Sequence, residues 1–203
     1  FPKEIARIFR ERDLDVLRRI ATRSRISVNF TVTTLDRRLA RILEFRAPIP
    51  ERRLRALRAV REAGIPAGVS MAPILPDITD SRENLEAVVA AARAHAATHV
   101  WANLLFLKPC SQQAFLPFVA QHFPHLRDRY AARYADTAFL RGPYSRRIYS
   151  LVDELKGKYG FGRGAAPLPD ERHAGGPPPE QLSLLHVHES LAAPGGPGTR
   201  ERP

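Results

Sequence analysis

Residues 68–76 read GVSMAPILP, a nearly continuous apolar run that follows a strongly amphipathic helical pattern at 51–63. A strand of this kind is typical of a parallel sheet in which helices cover both faces. The helical pattern places three apolar residues on one side: Leu54, Leu57 and Val60. Gly64 suits the C-terminal cap of that helix, and Pro66 prevents the helix from resuming. Residues 68–76 therefore predict a strand of an α/β sheet.

The alternation of helices and strands continues on both sides of this strand. Residues 26–34 (ISVNFTVTT) and 99–107 (HVWANLLFL) are rich in β-branched and apolar residues, which predicts two more strands. Further helices are predicted at 11–21, 35–43 and 81–97. Asp80 and Ser81 stand where the last of these helices needs its N-terminal cap. Repeated βα units imply a parallel sheet, either open or curled into a barrel.

The composition of the chain changes after residue 162. Residues 163–203 are rich in Gly and Pro and lack periodic apolar positions, so we expect them to be disordered. Residues 126–162 carry two or three helical patterns in which tyrosines and arginines alternate. We therefore divide the chain into an α/β part at 1–125, a helical extension at 126–162 and a tail at 163–203.

The positive charge of the chain bears on its partners. The net charge is +11, and nearly all of the excess is arginine. Such an excess favours phosphates or acidic partners; alternatively, arginine serves here only as a solvated surface cation. The single cysteine suits a reducing cytoplasm, and no apolar run is long enough to span a bilayer. The opening FPKEIARIF has no initiator Met and no signal-peptide pattern, which predicts the interior of a longer protein.

The carboxyl ends of the predicted strands are the expected ligand site, because ligands of parallel α/β sheets collect there. Thr31 and Thr33 lie two residues apart at one strand end, so their hydroxyls face the same side. Paired hydroxyls at a buried strand end suit the polar groups of a ligand. The alternative is a threonine-rich strand whose side chains are selected only for shape.

The segment LEFRAPIPERRLRAL, residues 43–57, holds a carboxylate and a guanidinium on a stiff loop. Pro48 and Pro50 exclude a helix there and favour an extended backbone in the residues before them. Glu44 and Arg46 are therefore held between two helices. Either Glu44 binds a cationic ligand, or Glu44 and Arg46 pair with each other or with Arg53.

The order and spacing of residues 28–80, VNFTVTTLDRRLARILEFRAPIPERRLRALRAVREAGIPAGVSMAPILPDITD, resemble the radical S-adenosylmethionine superfamily, in the branch related to spore photoproduct lyase. In that branch a strand ending in Ser or Thr precedes a Glu-bearing loop, an Arg-bearing helix and a Gly-(Val/Ile)-x-x-x-Ala-Pro strand. The matching residues here are Thr31, Glu44, Arg53, Gly68, Ala72 and Pro73. The resemblance covers roughly residues 10–125.

This resemblance implies the C-terminal part of a partial (βα) barrel whose mouth holds S-adenosylmethionine against a four-iron four-sulfur cluster. In such enzymes the cluster, reduced by an electron donor, cleaves the sulfonium, and the released 5′-deoxyadenosyl radical abstracts hydrogen from the substrate. By position, Thr31 and its neighbour Thr33 would bind the methionyl or ribose part. The main chain from Met71 through Ala72 to Pro73 would meet the adenine. Glu44 and Arg53 would order the loop or reach the polar groups of the cofactor.

The chain departs from the family pattern in two ways. Phe45 stands where relatives usually carry Pro, which predicts a less rigid loop. The three-cysteine motif that ligates the cluster lies upstream of everything in this chain, and Cys110 alone cannot replace it. We therefore expect a fragment of a longer enzyme that cannot hold a cluster by itself.

Cys110 either returns a hydrogen atom to a radical or is inert. A further rival is an ordinary barrel lyase that uses Lys108 to form a Schiff base with a carbonyl substrate. Nothing else in the sequence supports this rival.

The kinship with a DNA-lesion lyase suggests a role in DNA repair. Four tyrosines stand among arginines in the helical extension: Tyr130, Tyr134, Tyr144 and Tyr149. They either contact nucleic acid or cover the edge of a core. The rival function is a catalytically inactive basic module that binds nucleic acid or an acidic partner.

A short motif in the tail suggests one more partner. Gln181-Leu182-Ser183-Leu184-Leu185 resembles the peptide by which bacterial repair proteins dock on the replicative sliding clamp. Flanking Gly and Pro residues would keep the peptide extended, and its leucines would fill an apolar groove. A chance match, or a short helix that packs on the body of the protein, is the alternative.

Overall fold

The computed structural model describes residues 11–162. The three strands are β1 (Val28–Thr31), β2 (Ala67–Ile74) and β3 (Val100–Leu104). The helices that precede β3 are α1 (Glu11–Ala21), α2 (Arg37–Leu43), α3 (Pro50–Glu62) and α4 (Arg82–Ala94). The helices that follow it are α5 (Pro109–His122), α6 (Arg127–Arg133) and α7 (Pro143–Lys158), with a 3₁₀ helix at Pro124–Leu126.

The strands form one parallel sheet in the order β1-β2-β3, as the α/β pattern predicts. The register aligns Asn29 with Gly68 and Ser70 with Trp101. The central strand β2 is buried over most of its length, which agrees with its continuous apolar sequence. The described strands form an open sheet of three.

The first strand is shorter than the predicted 26–34, because a turn begins directly after it. Thr34 Oγ1 accepts a hydrogen bond from the backbone N–H of Asp36. Asp36 in turn caps α2, since its Oδ1 accepts hydrogen bonds from the N–H groups of Arg38 and Leu39. The chain therefore leaves the sheet at Thr31 and turns into a helix within a few residues.

The boundaries of α3 and α4 follow from local chemistry. Pro50 occupies the first turn of α3, where its missing N–H costs nothing. At the other end Gly64 has φ +80°, and the N–H groups of Gly64 and Ile65 bond to the carbonyls of Arg61 and Val60. These bonds form a Schellman cap, which confirms Gly64 as the terminator. Ser81 caps α4 through a hydrogen bond from Asn84 N–H, also as predicted.

Two hydrophobic clusters hold the elements together. The larger cluster joins the sheet to α3, α4 and α7, and its fully buried members include Leu57, Val88 and Leu155. The smaller cluster lies under the carboxyl ends of the strands and includes Leu75, Leu105, Leu107, Val119, Leu126, Tyr130 and Tyr134. The helices after residue 126 thus share the clusters of the α/β part.

The predicted tail, residues 163–203, lies outside the described residues. Within residues 11–162, no helix combines the length and apolar character needed to cross a membrane.

Candidate functional site

A cleft of about 550 Å³ opens at the carboxyl ends of the three strands. Each strand end contributes to its walls: Thr31 and Thr33 from β1, Pro73 and Leu75 from β2, and Leu105 and Phe106 from β3. The volume falls within the range of about 300–1,000 Å³ that is usual for small-molecule sites. Its location is the one that parallel α/β sheets use for ligands.

One wall of the cleft is polar. It contains the hydroxyls of Thr31 and Thr33, and neither hydroxyl has a hydrogen-bond partner among residues 11–162. The buried threonines nearby differ, because Thr34 Oγ1 accepts from Asp36 N–H and Thr79 Oγ1 accepts from Leu75 N–H at 2.8 Å. The two cleft threonines therefore have hydroxyls that remain available to a ligand.

Glu44 extends this polar wall, and Arg53 holds it in place. Arg53 Nη2 donates to Glu44 Oε2 at 2.6 Å, Nη1 donates to the carbonyl of Thr31 at 2.6 Å, and Nε donates to the carbonyl of Pro48 at 2.9 Å. Its side chain is only 12% exposed and is not part of the cleft lining. Of the two roles expected for Arg53, the geometry supports ordering the loop. Arg46 pairs with neither residue and instead lies over the Phe45 ring.

The β2 segment expected to meet an adenine divides between cleft and core. Pro73 lines the cleft, whereas the Met71 side chain is buried in the larger hydrophobic cluster. Ala72 is half-buried and is not part of the lining. The pairing of β2 with β3 shifts register between Met71 and Ile74, and the Ala72–Pro73 peptide bond is cis. Because of the register shift, Pro73 lies outside the regular pairing of β2 with β3.

The opposite wall is apolar and was not predicted from the sequence. Phe106 after β3 and Ala114, Phe115 and Phe118 on α5 form it. Phe106 is 40% exposed and stacks on Phe139 at 4.1 Å between ring centroids. The spacing of Phe115 and Phe118 was a usable sequence signal, because residues three apart share a helix face. A ligand in this cleft would meet hydroxyls and a carboxylate on one side and aromatic rings on the other.

Cys110 and Lys108 lie beside the cleft without lining it. Both are exposed, and Lys108 Nζ lies 5.5 Å from the centroid of the Phe106 ring. In the part of the chain that the structure describes, no three His, Cys, Asp or Glu side chains come together as a metal site would require. These residues therefore do not fit an iron–sulfur cluster.

The four tyrosines of the helical extension face inward. Tyr130 and Tyr134 are fully buried, and their hydroxyls donate to the carbonyls of Pro76 and Leu105. Tyr144 donates to Asp80 Oδ2 at 2.6 Å, and the Tyr149 hydroxyl accepts from Leu104 N–H. For Tyr130 and Tyr134 the packing alternative fits, because their buried rings offer no surface on which a base could stack. Tyr144 and Tyr149 are half-buried and pack against the larger hydrophobic cluster, and the guanidinium groups of Arg133 and Arg147 lie over the Tyr144 ring. The tail motif at 181–185 lies outside the described residues.

Relatives of known sequence cover most of this chain. Uncharacterized proteins of Mycobacterium tuberculosis and Mycobacterium bovis are 31% identical to it over 163 residues, which is 80% of this chain and 48% of each relative. The chain thus spans about half the length of these curated relatives. An uncharacterized protein of Acidianus two-tailed virus is 36% identical over 81 residues, which is 38% of this chain and 26% of the viral protein.

No protein-family model matches the chain, and no solved structure matches it. The names of the relatives state no activity. The class of protein that fold and site define is an α/β protein with a ligand-sized cleft at the carboxyl ends of its parallel strands.

Proposed function

We propose that the parent protein is a radical S-adenosylmethionine enzyme and that this chain is the C-terminal part of its partial (βα) barrel. The observation that carries the proposal is the cleft at the strand ends, which gathers Thr31, Thr33, Glu44 and Pro73 from separate elements of the chain. These four are among the residues that the sequence resemblance assigns to the cofactor. A parallel sheet in sequential strand order is compatible with part of a barrel.

The cleft residues fit S-adenosylmethionine chemically. The cofactor carries a sulfonium, an ammonium and ribose hydroxyls, and a carboxylate with two free hydroxyls provides complementary groups. Glu44 would attract the positive charge, while Thr31 and Thr33 would hydrogen-bond the sugar or the methionyl part. Pro73 would pack against the adenine. When bound beside a reduced cluster, this cofactor supplies a 5′-deoxyadenosyl radical.

The cluster itself does not fit the residues of this chain. Its cysteine ligands would come from an upstream part of the parent protein, together with the contact for a reducing electron donor. The contribution proposed for this chain is limited to binding and orienting. Arg53 holds Glu44, and the apolar wall at Phe106, Phe115 and Phe118 would shield one side of a bound ligand from water.

The second candidate is a basic module that binds nucleic acid or an acidic partner without catalysis. The net charge of +11 favours it as much as it favours an enzyme acting on DNA. A role in DNA repair belongs to the first candidate, and the tail motif at 181–185 would add the sliding clamp as a partner. Binding of a peptide of residues 177–192 to the clamp, abolished by Gln181→Ala with Leu184→Ala, tests that addition.

The test of the enzyme proposal is the affinity of the full-length, cluster-reconstituted protein for S-adenosylmethionine, measured by calorimetry. Thr31→Val removes one hydroxyl, and Glu44→Gln removes the charge while keeping an oxygen that Arg53 can reach. Each substitution removes a polar interaction worth about 1–3 kcal/mol, so binding should weaken about 5- to 150-fold. The matched controls are Thr22→Val and Glu62→Gln, which change exposed residues outside the cleft.

Unchanged binding in both cleft variants would remove these residues from the cofactor site. Absence of S-adenosylmethionine binding by the reconstituted wild-type protein would favour the non-catalytic module.

A further inference from the structure

The turn between α2 and α3 exposes a large aromatic side chain. Phe45 is 64% exposed, and Ile42, three residues before it, is 38% exposed. Both are adjacent to residues of the candidate site, because Leu43 and Glu44 line the cleft. An exposed phenylalanine at the rim of a cleft adds nothing to the hydrophobic core. Such a side chain is typical of a surface that binds a partner.

The backbone that carries Phe45 is held in place at several points. Arg41 Nη1 donates to the carbonyl of Phe45 at 2.6 Å, and Ala47 N–H bonds to the carbonyl of Glu44 at 3.0 Å. Arg53 fixes the next turn through the carbonyl of Pro48. A side chain presented on such a preorganised turn loses little backbone freedom when it binds.

The segment that carries Phe45 is strongly positive. Residues 37–58 contain eight arginines and two glutamates, and both glutamates are already paired, Glu44 with Arg53 and Glu51 with Arg37. The Arg46 guanidinium lies 5.1 Å from the centroid of the Phe45 ring. A complementary partner therefore carries negative charge and a flat ring. Within residues 11–162, four arginines of this segment have neither an ion-pair partner nor a side-chain hydrogen bond: Arg38, Arg46, Arg52 and Arg55.

We propose that this turn docks single-stranded nucleic acid, with Phe45 stacking on a base and Arg38 and Arg46 contacting the adjacent phosphates. Base stacking on aromatic side chains, combined with a cationic track for the backbone, is how proteins bind unpaired strands. Arginine suits this task because its planar guanidinium can pair with two phosphate oxygens at once. A lipid surface would require a wider apolar face than the two exposed side chains provide.

The proposal deepens the proposed function by assigning a nucleic-acid contact to a named surface beside the cleft. It rests on that function only for the identity of the cleft. It also moves the nucleic-acid contact from the tyrosines of α6 and α7 to the α2–α3 turn. The tyrosine hydroxyls are bonded within the protein, whereas Phe45 is a largely exposed residue.

The experiment measures binding of a fluorescein-labelled oligothymidylate to the full-length protein by anisotropy, without S-adenosylmethionine. Phe45→Ala should weaken binding about tenfold, and Phe45→Trp should restore it, since tryptophan also stacks. An oligonucleotide of abasic sites should bind wild type and Phe45→Ala equally. Arg38→Gln with Arg46→Gln should lower the slope of log affinity against log salt by about 0.7 for each phosphate that the variant no longer neutralises.

The controls change matched groups elsewhere. Trp101→Ala removes an exposed aromatic ring from β3, and Arg19→Gln with Arg23→Gln removes two exposed charges near α1; neither should alter binding beyond about twofold. Equal affinity of wild type and Phe45→Ala for oligothymidylate overturns the proposal. The proposal is also overturned if Phe45→Ala weakens binding to phosphatidylserine vesicles but leaves binding to the oligonucleotide unchanged. Because no cofactor is present, this result is independent of whether S-adenosylmethionine binds.

Discussion

Arg53 connects three parts of the cleft wall that are distant in sequence. Its guanidinium bonds to the carbonyls of Thr31 and Pro48 and to the carboxylate of Glu44. Because the side chain is largely buried, these contacts are screened little by solvent. A surface ion pair would contribute far less. The residue therefore determines where Glu44 and the end of β1 lie relative to each other.

We expect Arg53→Lys to lower the free energy of unfolding by about 2–3 kcal/mol, because an ammonium cannot reproduce the planar fork that reaches three acceptors. Urea unfolding followed by circular dichroism measures the change. Arg58→Lys is the matched control, since Arg58 pairs with Glu62 on the exposed face of α3 and should change stability by less than about 0.5 kcal/mol. Equal effects of the two substitutions would show that the three contacts of Arg53 contribute little.

At the scale of the elements, β2 and β3 approach each other closely next to His99. The imidazole is held between two side chains, with Nε2 2.8 Å from Asn29 Oδ1 and Nδ1 2.8 Å from Thr98 Oγ1. A Cβ at Gly68 would overlap this ring and lie 2.6 Å from the carbonyl oxygen of His99. Glycine at position 68 is thus required by packing between the strands.

Gly68→Ala should destabilise the protein by about 1–3 kcal/mol, since both the ring and the backbone of β3 must move. Gly157→Ala provides the opposite case, because a Cβ there meets nothing within 4 Å and the residue lies in α7. Alanine in a helix is favoured over glycine by about 0.5–1 kcal/mol, so this variant should gain stability. Thermal melts should show a lower melting temperature for Gly68→Ala and a higher one for Gly157→Ala than for the wild type. A Gly68→Ala protein as stable as the wild type would contradict the packing argument.

Local sequence signals made the helices and strands predictable, but they did not predict contacts between distant parts of the chain. The α3 helix and β2 were predicted within one or two residues, because a proline, a glycine and an apolar period mark their ends. The contacts of Arg53 were offered only as one alternative, since periodicity carries no information on a partner 22 residues away. The aromatic wall of the cleft and the inward-facing tyrosines were missed or left open for the same reason. They depend on how distant elements pack.

At the scale of the whole molecule, the smaller hydrophobic cluster joins α6 to the strand ends through buried phenols. Burial raises the pKa of Tyr130 and of Tyr134 above the usual value near 10. Burial also raises the pKa of Tyr144, and its hydrogen bond to Asp80 adds to that shift. The folded protein therefore keeps these phenols protonated at a pH where the unfolded chain releases their protons.

The sign of the pH dependence follows from this difference. Below about pH 10 both states hold the protons, so the stability is fully present; above it the unfolded state gains free energy by ionising and the fold weakens. Each phenol that stays protonated in the folded state lowers the free energy of unfolding by about 1.4 kcal/mol per pH unit. Tyr130 and Tyr134, which are fully buried, should contribute most of the slope.

We expect urea unfolding to give a constant stability from about pH 8 to about pH 9.5 and a steep loss above about pH 10. Tyr130→Phe with Tyr134→Phe should be less stable at about pH 8, because the carbonyls of Pro76 and Leu105 lose their donors. The same double variant should lose less stability between about pH 10 and about pH 11, because it has two fewer phenols to ionise on unfolding. Lys158 and Tyr159, whose pKa values are also raised by their hydrogen bonds with Glu86, are present in both proteins and cancel from the comparison. An alkaline slope that is the same in the double variant and the wild type would assign the loss of stability to groups outside the smaller cluster.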